Sequence, residues 1–126
     1  LKDVGYPVEE LASRVRAALN GMPAVRETRM FGGIAFMLHD RMMAAASRHG
    51  LLLRIGKQRE AEALSRMGTR PMVMRDRRMT GYIYVDPREL TAASLQRWLE
   101  MAKTHVQSLG PKSPAARMRA RSKARG

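Results

Sequence analysis

From Val25 to Ile55 the chain reads VRETRMFGGIAFMLHDRMMAAASRHGLLLRI, and this stretch decides the fold. Its apolar residues come in short runs, Val25 to Met30, Ile34 to Leu38, Met42 to Ser47 and Leu51 to Ile55, each of strand length and too short for a helix. Gly32-Gly33, His39-Asp40-Arg41 and Arg48-His49-Gly50 join them. Such short connections leave room only for antiparallel neighbours, so the runs form a meander. In the second run Ile34, Phe36 and Leu38 face one side, Ala35 and Met37 the other.

Helical patterns flank the meander. Pro7 followed by Glu9 and Glu10 opens the first. Val8, Leu11, Ala12, Val15, Ala18 and Leu19 then recur at helical spacing until Asn20-Gly21 stops it. Beyond the meander, Lys57 to Met67 is a short helix with Ala61 and Leu64 as its buried side, closed by Gly68. Met72 to Met74 and Tyr82 to Val85 are further strands, with Arg75-Asp76-Arg77-Arg78 as an exposed loop between them. Asp86-Pro87-Arg88-Glu89 combines an N-cap carboxylate, a proline at the first helical position and an acid at the third. It predicts a last helix that buries Leu95, Trp98, Leu99, Ala102 and Val106 and ends near Leu109, before Gly110-Pro111. Helix, strand meander, helix, strands, helix is an α+β plan: two layers, a mainly antiparallel sheet with three helices packed on one face.

Composition narrows the function. The chain has 126 residues and no cysteine, which excludes a disulfide framework, a thiolate metal site and a cysteine nucleophile. Its longest uncharged apolar stretch, Met30 to Leu38, is far below the ~20 residues of a membrane helix, so a cytoplasmic, bacterial-type protein is expected. Lys and Arg number 24 against 11 acids, a net charge of +13. The basic excess concentrates in residues 110–126, where Lys112, Arg117, Arg119, Arg121, Lys123 and Arg125 face no acid. Residues 1–109 are read as the folded domain and 110–126 as a basic tail, either a solvated end or a phosphate contact. A second concentration runs through Arg66, Arg70, Arg75, Arg77 and Arg78, opposed only by Asp76, and its last four arginines are set beside the tail. Guanidinium forks suit phosphate and carboxylate, so these residues and the tail are the candidate contacts to nucleic acid or an acidic partner.

Catalytic patterns are lacking. His39 and His49 fall at opposite ends of one strand, roughly 20 Å apart, and His105 lies on the last helix, so no metal site and no cofactor is expected. Gly56-Lys57 after a strand imitates a phosphate loop, but Gln58 stands where Ser or Thr would hold magnesium. Glu60 and Glu62 are two apart on a helix and do not face each other. Tyr82 and Tyr84 share a strand face near the arginine loop, which suits either base stacking or cross-strand packing. The strand methionines are read as core filling, with an adaptable partner surface as the alternative should helices leave one sheet face uncovered.

Arg29-Met30-Phe31-Gly32-Gly33-Ile34-Ala35-Phe36-Met37 and Arg70-Pro71-Met72, leading to Arg78-Met79-Thr80-Gly81-Tyr82-Ile83-Tyr84-Val85-Asp86, resemble the TfoX/Sxy N-terminal domain family. The resemblance runs from about Val8 to Ser108, with Tyr82 where family members often carry Trp. It implies a compact α+β domain with an antiparallel sheet. It also implies a link to regulators of natural competence that work with the cyclic-AMP receptor protein at promoters. Those regulators carry a second, C-terminal domain, and this chain is read as the N-terminal domain standing alone. The expected function is a regulatory or interaction module contacting nucleic acid or a transcription protein through basic surface. The alternative is a small-ligand domain or an enzyme with a pocket between sheet and helices.

Overall fold

A computed structural model describes residues 6–20, 22, 24–30 and 32–110. The basic residues from Lys112 to Arg125 lie outside them. In chain order the elements are α1 (Val8–Ala18), β1 (Val25–Met30), β2 (Gly33–Leu38), β3 (Arg41–Ser47), β4 (Gly50–Arg54), α2 (Lys57–Leu64), β5 (Thr69–Met74), β6 (Arg77–Val85) and α3 (Ala92–Leu109). The strands form one antiparallel sheet in the order β1-β2-β3-β4-β6-β5. The α+β architecture and the meander are as the sequence predicts.

Alternation decides which face is core. Ile34, Phe36 and Leu38 of β2, Leu51 and Leu53 of β4, and Ile83 and Val85 of β6 turn towards the helices. There they meet Leu11, Ala12 and Val15 of α1 and Leu95, Trp98, Leu99, Ala102 and Val106 of α3. Strict alternation would send Met43 and Ala44 to opposite faces. The pairing of β2 with β3 shifts between Phe36 and Met37, a bulge that turns both into the core. The edge strands discourage further pairing: β1 carries Arg26, Glu27 and Arg29, and β5 carries Arg70 and Pro71.

The structure revises three local expectations. The polar segment after Met74 is a two-residue hairpin turn rather than a loop. Arg75 and Asp76 have φ of 53° and 64°, as His39 and Asp40 do in the β2–β3 turn (53° and 63°), and Arg77 and Arg78 are already strand. In α2 the buried positions are Glu60 and Ala63, while Ala61 is exposed. Finally, Asp86-Pro87-Arg88-Glu89 caps only a short 3₁₀ turn, Pro87–Glu89. Leu90 then extends (φ −96°, ψ 125°) and is itself buried. α3 starts afresh from Thr91, which exchanges capping bonds with Ser94.

Asp86 is nonetheless well held. Its carboxylate accepts from the Arg88 guanidinium at 2.9 Å and from the Arg88 backbone N–H at 2.9 Å, and these bonds lower its pKa from 3.8 to about 2. The folded value lies below the unfolded one, so the stabilisation is complete above about pH 4 and is lost as pH falls towards 2. Arg88 is 77% exposed, which screens the pair and keeps its contribution small. Urea unfolding of Asp86→Asn is expected to show that deficit near neutral pH and to converge with the parent near pH 2. A constant deficit across the range would remove Asp86 as its source.

Candidate functional site

The three helices of the described residues pack on one side of the sheet, and among the described residues no helix lies over the opposite face. That face is apolar. Ala35, Ala45, Leu52 and Met72 are buried in a second cluster, bordered by half-buried Met30, Met37, Met42, Met79, Tyr82 and Tyr84. Of the strand methionines, Met43 fills the helix-side core, whereas the others on β2, β3 and β6 lie on the helix-free face. The expectation of core filling is corrected accordingly. The uncovered sheet face is where the adaptable side chains sit.

The strand register explains the shape of this face. One rung crosses the sheet from Thr28 through Ala35, Ala45, Leu52 and Tyr84 to Arg70, each residue directly opposite the next. Side chains opposite one another share a face. Two adjacent alanines in mid-rung leave a hollow, and the larger Leu52 and Tyr84 rise beside it. The resulting cleft has a volume of about 680 Å³. Between sheet and helices, by contrast, the space is filled, with Ala12, Val15, Ala102 and Val106 fully buried. Smaller hollows lie at the margins of that layer, about 350 Å³ around Leu19 and Met22 at the end of α1 and about 480 Å³ between Ile55, the start of α2 and Met101, Thr104 and His105 of α3.

Arginines hold fixed positions around this face. Arg70 lies 4.9 Å from the Tyr84 ring centroid and donates to the His49 carbonyl at 2.7 Å; the His49 ring meets Tyr84 edge-on at 6.0 Å. Arg54 lies 5.5 Å from the Tyr82 centroid. Both tyrosines do share one face, but the arginines on their rings are Arg54 and Arg70, not the hairpin residues. Arg75 and Arg77 are exposed at the β5–β6 turn, at the other end of β5 from Arg70 and about 16 Å away along the strand. Arg78 is tied to buried Glu60 at 3.0 Å. The candidate arginines therefore divide: Arg75 and Arg77 at the tip, Arg70 at the cleft, Arg78 in a structural ion pair.

Charge is unevenly compensated. Seven of the ten described carboxylates are in ion pairs, which leaves ten described Lys and Arg side chains with no described carboxylate within 4 Å, Arg48, Arg54, Arg70, Arg75 and Arg77 among them. Sequence reasoning did not single out Arg54, and it weighed His49 only as a metal ligand. The available signal was the period-two stripe Ala35, Met37, Ala45 and Leu52 facing away from the helices. His105 packs on Gly56 and, through burial first and then the charges of Arg54 and Arg41, titrates below its ordinary 6.5. Among the described residues no three acidic or histidine side chains converge as metal ligands, and no helix is long and apolar enough to cross a membrane.

A six-stranded antiparallel sheet with three helices on one face and, among the described residues, an open apolar face on the other defines a small two-layer α+β domain rather than a barrel or a closed sandwich. The family model described as the TfoX N-terminal domain matches residues 17–106, and the chain belongs to that family, which points to a regulatory domain. No curated protein and no solved structure matches the chain.

Proposed function

We propose that this chain is a regulatory interaction module that contacts an acidic macromolecule, nucleic acid or the acidic surface of a transcription protein. One observation carries the reading: internal ion pairing uses up most carboxylates and leaves a surplus of unpaired arginines on the surface. Arg75 and Arg77 at the hairpin tip and Arg70 beside the cleft are the body contacts. Lys112, Arg117, Arg119, Arg121, Lys123 and Arg125 supplement them. Contacts of this kind release counterions, so affinity should fall steeply with salt.

Fluorescence anisotropy of labelled duplex and single-stranded DNA across a salt series tests this. The full chain, a truncation ending at Leu109, and Arg75→Gln/Arg77→Gln are compared. Binding by the full chain is expected with a log-log salt slope of several charges. The double substitution should lower that slope by about two. Absence of DNA binding near physiological salt moves the contact to an acidic protein. Binding unchanged in both variants would remove the named arginines from it.

A further inference from the structure

We infer that the cleft on the helix-free sheet face is a binding site for a small amphipathic carboxylic acid, an apolar body with one anionic head. This goes beyond the macromolecular contact proposed above and shares only Arg70 with it. Size, lining and charge each support it. About 680 Å³ falls inside the roughly 300–1,000 Å³ range of small-molecule sites. The floor is Ala35, Ala45 and Leu52, with Met30, Met42 and Met72 around it. Alanines supply the depth, and unbranched thioether side chains adapt to an aliphatic or aromatic body without a fixed outline.

The charge at the cleft has one sign. Among the described residues no aspartate or glutamate lines it, and Arg70 is the only formally charged one. Among the described residues no carboxylate lies within 4 Å of Arg70, yet its guanidinium is held by the Tyr84 ring and the His49 carbonyl. A guanidinium has five N–H donors, and among the described residues Arg70 uses one nitrogen on His49. The remaining donors suit a carboxylate, which accepts a charge-assisted pair. A cation would meet Arg70 with like charge, and a purely apolar guest would leave the held guanidinium unused. An acid with an apolar body satisfies both the floor and the rim.

The test uses the full chain and a dansyl-labelled undecanoate, followed by its fluorescence enhancement and displaced by decanoate, decanol or decyltrimethylammonium below micellar concentrations. Saturable binding is expected, with decanoate competing about tenfold better than decanol and the cation not competing. Arg70→Gln should abolish the preference of decanoate over decanol. Ala45→Leu, which fills the floor and leaves every arginine in place, should weaken the probe about tenfold or more with the circular-dichroism melt retained. The DNA salt slope should be unchanged in Ala45→Leu, which separates this site from the macromolecular contact. No enhancement, equal competition by decanoate and decanol in the parent chain, or full affinity in a folded Ala45→Leu would each overturn the assignment. So would binding of an acidic amphipathic peptide in place of the small acids, which would give the face to a protein partner.

Discussion

Replacing Glu60 by alanine is expected to destabilise the protein by about 2–4 kcal/mol. Among the described residues Glu60 is the one charged residue that is buried, and its carboxylate accepts from three N–H donors. Oε2 accepts from Arg78 Nε at 3.2 Å and Nη2 at 3.0 Å, and Oε1 accepts from the Gly81 backbone N–H at 3.3 Å. The Gly81 carbonyl in turn accepts from the backbone N–H groups of Ile55 and Gly56. Glu60 thus ties α2 to β6 at the point where β4 ends. Alanine would leave the Gly81 N–H buried without its acceptor and a void beneath Arg78. Because the Arg78 side chain is 54% exposed, the ion pair itself contributes little. Glu60→Gln keeps an acceptor for Gly81 and is expected to cost about 1 kcal/mol, Arg78→Ala about 1–2 kcal/mol. Urea unfolding of the three variants checks the ranking. A loss in Arg78→Ala equal to that in Glu60→Ala would show that the exposed cation, not the buried acceptor, does the holding.

Glu60 also shows where sequence reading stops. A glutamate in a helix is read as exposed, and only the return of β6 over α2, some twenty residues later, supplies its donors. The same applies to Arg78. Grouped with its neighbours by proximity in the chain, it is removed from them by a partner on another element. The strands and helices were legible because period and punctuation are local: Val25–Met30 is recovered to the residue, α1, β2, β3 and β4 to within about one, and α3 at its C-terminal end. The sharpest local signal, Asp86-Pro87-Arg88-Glu89, marked a turn rather than α3, since burial of Leu90 outweighs continuation of the helix. The cleft was half legible. Alternation placed Ala35 and Met37 away from Phe36, but which face the helices would leave bare is a tertiary fact. The pairing of Arg70 with Tyr84 depends on β6 lying between β4 and β5, an order that chain sequence does not imply.

Gly33→Ala is expected to cost about 3 kcal/mol, while the adjacent Gly32→Ala costs about 1 kcal/mol. The two glycines look alike in sequence, as one joint between β1 and β2, but they serve different physics. Gly32 has φ of 76° and an added Cβ would meet nothing within 4 Å, so its requirement is conformational. Asparagine, which tolerates the left-handed region, should restore most of the loss at position 32. Gly33 lies within β2, and an added Cβ would sit 2.6 Å from the Ala46 carbonyl oxygen. That atom is backbone, so relief requires moving β3 against β2. The pairing of Ile34 with Ala46 and the bulge at Phe36/Met37 resist such a slide, because it would turn Met43 or Ala44 out of the core. Asparagine at position 33 should therefore be at least as damaging as alanine. Thermal and urea unfolding of the four single variants gives the comparison. Equal losses at positions 32 and 33, or rescue by asparagine at 33, would mean that β3 yields to the new side chain and that the close approach of Gly33 to Ala46 is not what fixes the register of the two strands.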